Sequence, residues 1–91
     1  METGRFFDIV YTAKFKKKTR RAPQHLKKKI DAAFEEIRKE PHHGVNIKQL
    51  KGKLSDFYRY RMGDFRLIYK VLDDRVLIIA VDFGPRGDIY K

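Results

Sequence analysis

The sequence predicts a small α+β domain in which two helices pack on one face of an antiparallel sheet. Three observations predict this class. An apolar stripe at helical spacing lies in the first half of the chain, β-rich runs with alternating side chains fill the second half, and two-residue turn sequences separate those runs. With 91 residues, the chain is expected to form one domain over residues 1–91.

The first half of the chain predicts one strand and two helices. Arg5–Tyr11 is rich in aromatic and β-branched residues, which favours a strand. Thr12 is suited to cap a short helix that runs to about Arg21. A second helix starts at Pro23, because proline fits a first turn, and stops before Pro41. Its apolar residues recur on one helical face: Leu26, Ile30, Ala33, Phe34 and Ile37.

The second half of the chain predicts a loop and then a three-stranded meander. His42–Ser55 is interpreted as the loop. The strands that follow are Asp56–Met62, Phe65–Leu72 and Arg75–Phe83. Gly63-Asp64 and Asp73-Asp74 are turn-forming pairs, so both connections are predicted to be tight hairpins. The element order is therefore β-α-α-β-β-β.

The hairpin registers predict which side chains share a face of the sheet. A two-residue turn at Gly63-Asp64 pairs Arg61 with Arg66 and places Arg59 opposite Ile68. Paired residues share a face, so Arg59, Arg61 and Arg66 lie together. With Asp73-Asp74 as its turn, the second hairpin is predicted to pair Leu77 with Lys70, Ile79 with Ile68 and Val81 with Arg66. It adds an apolar floor to this face: Ile68, Leu77, Ile79 and Val81. We expect no acid there, and arginines directly opposite each other repel, so the pattern indicates a bound anion.

The opposite face of the same strands carries an aromatic set that is expected to belong to the core. Its members are Tyr58, Tyr60, Phe65 and Tyr69. Alternation directs them toward the helices, where aromatic side chains contribute large buried area. A core role is therefore favoured over a base-stacking platform.

The charge balance indicates a polyanionic partner. The chain has 22 lysines and arginines against 12 acids, a net charge of +10. Such a basic domain favours nucleic acid or an acidic protein as the partner. Cysteine is absent, which excludes disulfides, cysteine zinc sites and cysteine nucleophiles. No apolar run is long enough to span a bilayer, so we expect a soluble cytoplasmic protein without a membrane partner.

Two long motifs connect these residues to a known family. Leu-Lys-Gly at residues 50–52 is followed by Tyr-Arg-Tyr-Arg-Met-Gly-Asp-Phe-Arg-Leu-Ile-Tyr at 58–69, and Gly-Pro-Arg-Gly-Asp-Ile-Tyr lies at 84–90. Together with the element order, these motifs resemble the RelE/ParE toxin superfamily. The resemblance implies a toxin of a toxin–antitoxin pair. RelE-type members are ribosome-dependent endoribonucleases that cut mRNA in the ribosomal A site by attack of a 2′-hydroxyl on the adjacent phosphate.

The resemblance also implies which residues act. The family's catalytic positions match Arg59, Arg61, Arg66, Arg86 and Tyr90. Arginines suit this reaction, because fixed guanidinium donors stabilise the negative charge that develops on phosphorus. Contacts to RNA or the ribosome are expected from Lys14, Lys17, Lys18, Arg20, Arg21, Lys51, Lys53 and Lys70. The implied partners are an acidic antitoxin, the ribosome and mRNA, and no metal or cofactor is expected.

One departure from the family pattern leaves the general base unassigned. Many relatives have a histidine before the C-terminal arginine, or lysines at the two early positions, whereas this chain has Pro85 before Arg86 and Arg59 with Arg61. Arginine is a poor base because its guanidinium group stays protonated at physiological pH. The remaining candidates are Lys70, Asp88, Tyr90 or a histidine, although His25, His42 and His43 are expected in surface or packing roles.

Two other functions stay open at this point. A ParE-type toxin binds and poisons DNA gyrase without chemistry of its own, and the missing base favours it. The arginine set favours the RelE-type reaction, because ParE-type members largely lack it. A degenerate homologue that only binds its antitoxin is the third possibility.

Overall fold

The α+β class is confirmed by a computed structural model that describes residues 6–85. This part of the chain forms two α-helices, α1 (Ala13–Thr19) and α2 (Gln24–Lys39). The strands are β1 (Asp8–Tyr11), β2 (Ile47–Gln49), β3 (Phe57–Met62), β4 (Phe65–Leu72) and β5 (Leu77–Pro85). Short 3-10 turns at Gly52–Leu54 and Asp73–Arg75 precede β3 and β5.

Both predicted helices are present. The Thr12 side chain accepts a hydrogen bond from the Phe15 amide at 3.1 Å, so it caps α1 as expected. The predicted apolar stripe of α2 faces the core, where Ile30, Phe34 and Ile37 are buried. Neither helix within residues 6–85 is long and apolar enough to cross a bilayer.

The sheet has five strands in the order β1-β5-β4-β3-β2, and it differs from the prediction at both edges. β1 pairs in parallel with β5, so the expectation of an entirely antiparallel sheet was wrong there. The two helices carry the chain back across the sheet, which lets β1 and β5 run in the same direction. The predicted loop His42–Ser55 contains β2, which adds to the free edge of β3 in antiparallel register.

The core lies between the helices and one face of the sheet, here called the helix-side face. Leu67, Tyr69 and Ile78 have no solvent exposure. The Tyr69 hydroxyl donates to the Pro41 carbonyl at 2.7 Å, and the Tyr60 hydroxyl donates to the Glu36 carboxylate at 2.8 Å. The aromatic set predicted for the core is therefore there, with Phe65 partly buried and stacked on Phe83.

The β3–β4 hairpin matches the predicted register in full. Arg61 pairs with Arg66 and Arg59 pairs with Ile68. Gly63 has φ +61°, the left-handed conformation that glycine adopts at no steric cost, and it closes the two-residue turn.

The β4–β5 hairpin is longer than predicted. Its turn spans residues 73–76, where Val76 adopts φ 51° and its amide donates to the Asp73 carbonyl at 3.1 Å. The register therefore starts with Leu72 opposite Leu77, and the last strand is Leu77–Pro85 instead of Arg75–Phe83. The observed pairing between β4 and β5 is shifted by two residues from the predicted pairing. Because side chains alternate between the faces, a shift of two leaves every side chain on its predicted face as far as Ile79.

Candidate functional site on the cationic outer face of the sheet

The arginines predicted to cluster lie together on the face of the sheet opposite the helix-side face. We call this surface the outer face, and its members in β2 to β5 include Lys48, Arg59, Arg61, Arg66, Ile68, Lys70 and Asp82. Arg61 is exposed, whereas Arg59 and Arg66 are partly buried. Since neighbouring strands hold all three in register, their positions depend on the backbone ladder and not on a loop.

A cleft of about 320 Å³ opens at the β2 edge of the outer face. It is lined by Lys48, Gln49, Leu50, Lys51, Arg59 and Arg66. The Nε–H of Arg59 is buried and has no hydrogen-bond partner within residues 6–85. Leaving such a donor unsatisfied costs about 1–3 kcal/mol. An anion in the cleft would be held by the guanidinium groups of Arg59 and Arg66, which line it, because guanidinium donors match phosphate and carboxylate oxygens.

Lys48 is a member of the cleft that the sequence did not reveal. It lies directly opposite Arg59 in the β2–β3 register, so the two side chains share the outer face. The prediction of a loop over this segment hid the pairing. A weak signal was present, because Ile47 and Lys48 alternate between apolar and basic, but three residues are too few to establish a period.

Asp82 corrects the prediction that the outer face carries no acid. A β-bulge leaves Val81 without a directly opposed residue, so Asp82 lies opposite Ile68 and Gly84 lies opposite Arg66. Val81 is therefore not the residue opposite Arg66. The bulge has no recognisable sequence signature here, which explains why the predicted face assignment failed beyond Ile79.

The Asp82 carboxylate is buried and firmly held. Its side chain is 7% exposed and contacts Lys18 Nζ at 2.7 Å and Lys14 Nζ at 3.2 Å. It also accepts the Phe83 amide at 2.8 Å. Burial alone would raise the pKa of Asp82, but the hydrogen bonds from Lys18, the Phe83 amide and Lys14 outweigh it and hold the pKa below its usual value. The two lysines thus attach α1 to the sheet.

The remaining basic residues predicted to bind RNA or the ribosome are dispersed. Lys51 lines the cleft, Lys53 lies in the exposed 3-10 turn, and the Lys70 amine lies 5.7 Å from the centre of the Phe57 ring. Three others are exposed in α1 or just after it: Lys17, Arg20 and Arg21. The predicted catalytic residues Arg86 and Tyr90, and the base candidate Asp88, lie outside the described residues.

The histidines lie away from the cleft. His42 Nε2 is 2.8 Å from Asp73 Oδ1, and the ring packs edge-on against Tyr58 on the helix-side face. His43 is exposed beside it, and His25 is exposed near the start of α2. None of the three lines the cleft.

Comparison with known sequences assigns the family. Residues 9–90 match the ParE toxin family of type II toxin–antitoxin systems, parDE. The chain belongs to this family. Toxin RelG from Mycobacterium tuberculosis is 28% identical over 87 residues, which cover 89% of this chain and 97% of RelG. A protein named RelE4 from Methanocaldococcus jannaschii is 38% identical over 69 residues, or 71% of this chain and 70% of RelE4.

Comparison of structures gives the same result at the level of the fold. A chain of the archaeal RelE–RelB complex from Pyrococcus horikoshii OT3 superposes with a TM-score of 0.79 at 23% identity. The match covers 91% of this chain and 98% of that one. The resemblance to the RelE/ParE toxin superfamily is therefore confirmed, and the chain is a RelE-like toxin of a type II toxin–antitoxin system.

Proposed function

We propose that this toxin is a ribosome-dependent endoribonuclease that cleaves mRNA in the A site. The observation that carries the proposal is the outer face, where Arg59, Arg61 and Arg66 lie together and Arg59 and Arg66 line a cleft. Attack of a 2′-hydroxyl on the adjacent phosphate places additional negative charge on the phosphoryl oxygens. Guanidinium groups fixed on paired strands stabilise that charge without reorganising.

The residue types on this face favour phosphate as the bound group. Each arginine presents a rigid planar fork that can hold two oxygens of one phosphate, and it stays charged at any physiological pH. No carboxylate lines the cleft within the described part of the chain. We assign Arg86 to the transition state or the departing 5′-oxygen, and Tyr90 to stacking on a base, by their match to the family motif.

The exposed lysines and arginines would hold the toxin on the ribosome. Lys17, Arg20 and Arg21 are exposed at α1, Lys51 lines the cleft, and Lys53 and Lys70 lie outside the cleft lining. Lys14 and Lys18 contribute indirectly, because Asp82 engages their amines and so fixes α1. The ribosome would present the mRNA in a defined orientation, and orientation of this kind lowers an activation barrier substantially.

An acidic antitoxin is the proposed protein partner. In the Pyrococcus horikoshii structure, the RelE chain is in complex with RelB. A domain with a net charge of +10 is suited to an acidic partner, because charge complementarity accelerates association and disfavours wrong partners. The ribosome and the antitoxin would then compete for the same cationic surfaces.

A second candidate function follows from the family match itself. The matched family is named for ParE, so poisoning of DNA gyrase without chemistry is the alternative. The outer face favours the nuclease, because arginines clustered on paired strands suit the stabilisation of negative charge on a reacting phosphate.

Induced expression in cells distinguishes these functions. We expect new mRNA 5′ ends at A-site codons with the wild type and with Arg75→Ala, which removes an exposed arginine from the distant β4–β5 turn. Arg66→Ala should produce none. Gyrase-dependent DNA breaks without new mRNA ends would replace the nuclease with a gyrase poison. The absence of both effects would leave a homologue that binds its antitoxin only.

A further inference from the structure

Among residues 6–85, neither a carboxylate nor a histidine lines the cleft, although 2′-hydroxyl attack needs a group that accepts a proton. Arg59 and Arg66 cannot serve, because guanidinium does not lose its proton at accessible pH. Asp82 is on the same face, but it is 5% exposed and its carboxylate is held by two lysines and an amide. Lys70 lies over the Phe57 ring and does not line the cleft.

We propose that Lys48 is the proton-transfer residue of this site, an inference that rests on the proposed nuclease function. β2 holds it in place, since Lys48 lies opposite Arg59 in the register. Backbone bonds flank it on both sides: the Arg61 amide donates to the Asn46 carbonyl at 2.9 Å, and the Leu50 amide donates to the Phe57 carbonyl at 3.0 Å. Lys48 is thus a cleft residue on a hydrogen-bonded strand that can both hold and release a proton.

The surroundings of Lys48 leave its amine available to substrate. The charged groups that face it are Arg59 from β3, Arg66 from β4 and Lys51 from the segment after β2, all of them cationic. Within residues 6–85, no carboxylate lies within ion-pair distance of its amine. A phosphate held by the arginines would place the neighbouring ribose beside the lysine.

The proposed step balances as follows. The neutral Lys48 amine takes the proton of the 2′-hydroxyl while O2′ forms a bond to phosphorus and the bond from phosphorus to O5′ breaks. The products are a 2′,3′-cyclic phosphate and a 5′-hydroxyl, whose proton comes from water. The Lys48 ammonium then returns its proton to solvent, so no oxidant, reductant or further reactant is consumed.

The test is the single-turnover rate of mRNA cleavage by the purified toxin on programmed ribosomes, measured as a function of pH. For the wild type we expect the rate to rise with pH, as it does for a reaction that needs a deprotonated general base. Lys48→Arg keeps the charge but cannot transfer the proton, so it should cleave about a hundredfold or more slowly, with a flat pH profile. The matched control Lys28→Arg, on the exposed surface of α2, should behave as the wild type.

Two further variants exclude a purely structural or electrostatic role. Lys48→Ala should be partly rescued by a small primary amine such as ethylamine, and Lys51→Arg should keep the wild-type pH dependence. The inference is overturned if Lys48→Arg cleaves at the wild-type rate, if it is slower with an unchanged pH profile, or if Lys51→Arg is the variant with the flat profile. A wild type that does not cleave at all refutes the proposed function itself, and that outcome is distinct from each of these.

Discussion

The two faces of the β3–β4 hairpin differ in whether their buried polar groups have hydrogen-bond partners. On the helix-side face, the Tyr60 and Tyr69 hydroxyls both have hydrogen-bond acceptors, and Leu67 has no exposure. On the outer face, one residue away along the same strands, Arg61 lies opposite Arg66 and the Nε of Arg59 is buried without a partner within residues 6–85. Buried polar groups that stabilise a fold usually have hydrogen-bond partners within the protein. The proposal that the outer face binds a phosphate therefore predicts that substitutions at neighbouring residues separate stability from activity.

The largest effect is expected on the helix-side face. Leu67→Ala removes a side chain with no exposure and leaves a cavity, so we expect a loss of about 2–5 kcal/mol in the free energy of unfolding. Denaturant unfolding followed by circular dichroism measures it. A loss below about 1 kcal/mol would mean that the helices do not pack tightly on this face.

A substitution on the outer face should leave the free energy of unfolding nearly unchanged and reduce the rate of cleavage. Arg59→Met keeps the stem of the side chain and removes the buried donor, so the free energy of unfolding should stay within about 1 kcal/mol of wild type or increase. Cleavage should fall by about a hundredfold, because a transition-state donor is lost. The two measurements are made on the same preparation, and a variant that is destabilised yet fully active would reverse the assignment of the two faces.

Much of this arrangement could be predicted from local sequence. Gly63-Asp64 is a two-residue turn, so the pairing of Arg61 with Arg66 followed by counting. The parts that failed depend on features with no local signature. Val76 adopts a left-handed conformation that β-branched residues rarely take, and the bulge at Val81 inserts a residue into β5. The three-residue strand that positions Lys48 is defined by its pairing with β3 and not by its composition.

Asp82 attaches α1 to the sheet through Lys14 and Lys18, and it should make the stability of the fold depend on pH. Its pKa in the folded state is below the usual value of 3.8, so its contribution is present above that value and is lost as the pH falls through the folded pKa. Asp82→Asn should cost about 1–3 kcal/mol at neutral pH, since a buried charged acceptor for Lys18 and Lys14 is lost.

The same substitution has a clear signature in acid. As the pH is lowered below about 4, the wild type should lose stability toward that of Asp82→Asn, so the difference between them shrinks. Thermal unfolding over a pH series measures both proteins. A difference that stays constant into strong acid would show that the ion pairs with Lys14 and Lys18 contribute nothing.

The affinity of the purified toxin for single-stranded RNA, measured over a series of salt concentrations, tests most directly the proposal that the outer face binds phosphate. The logarithm of the association constant should fall linearly with the logarithm of the salt concentration, with a slope of about −0.7 for each phosphate contacted. Arg61→Gln should make the slope shallower by about 0.7, whereas the control Arg75→Gln, in the distant turn, should leave it unchanged. A flat salt response, or equal slopes for the two variants, would contradict the account.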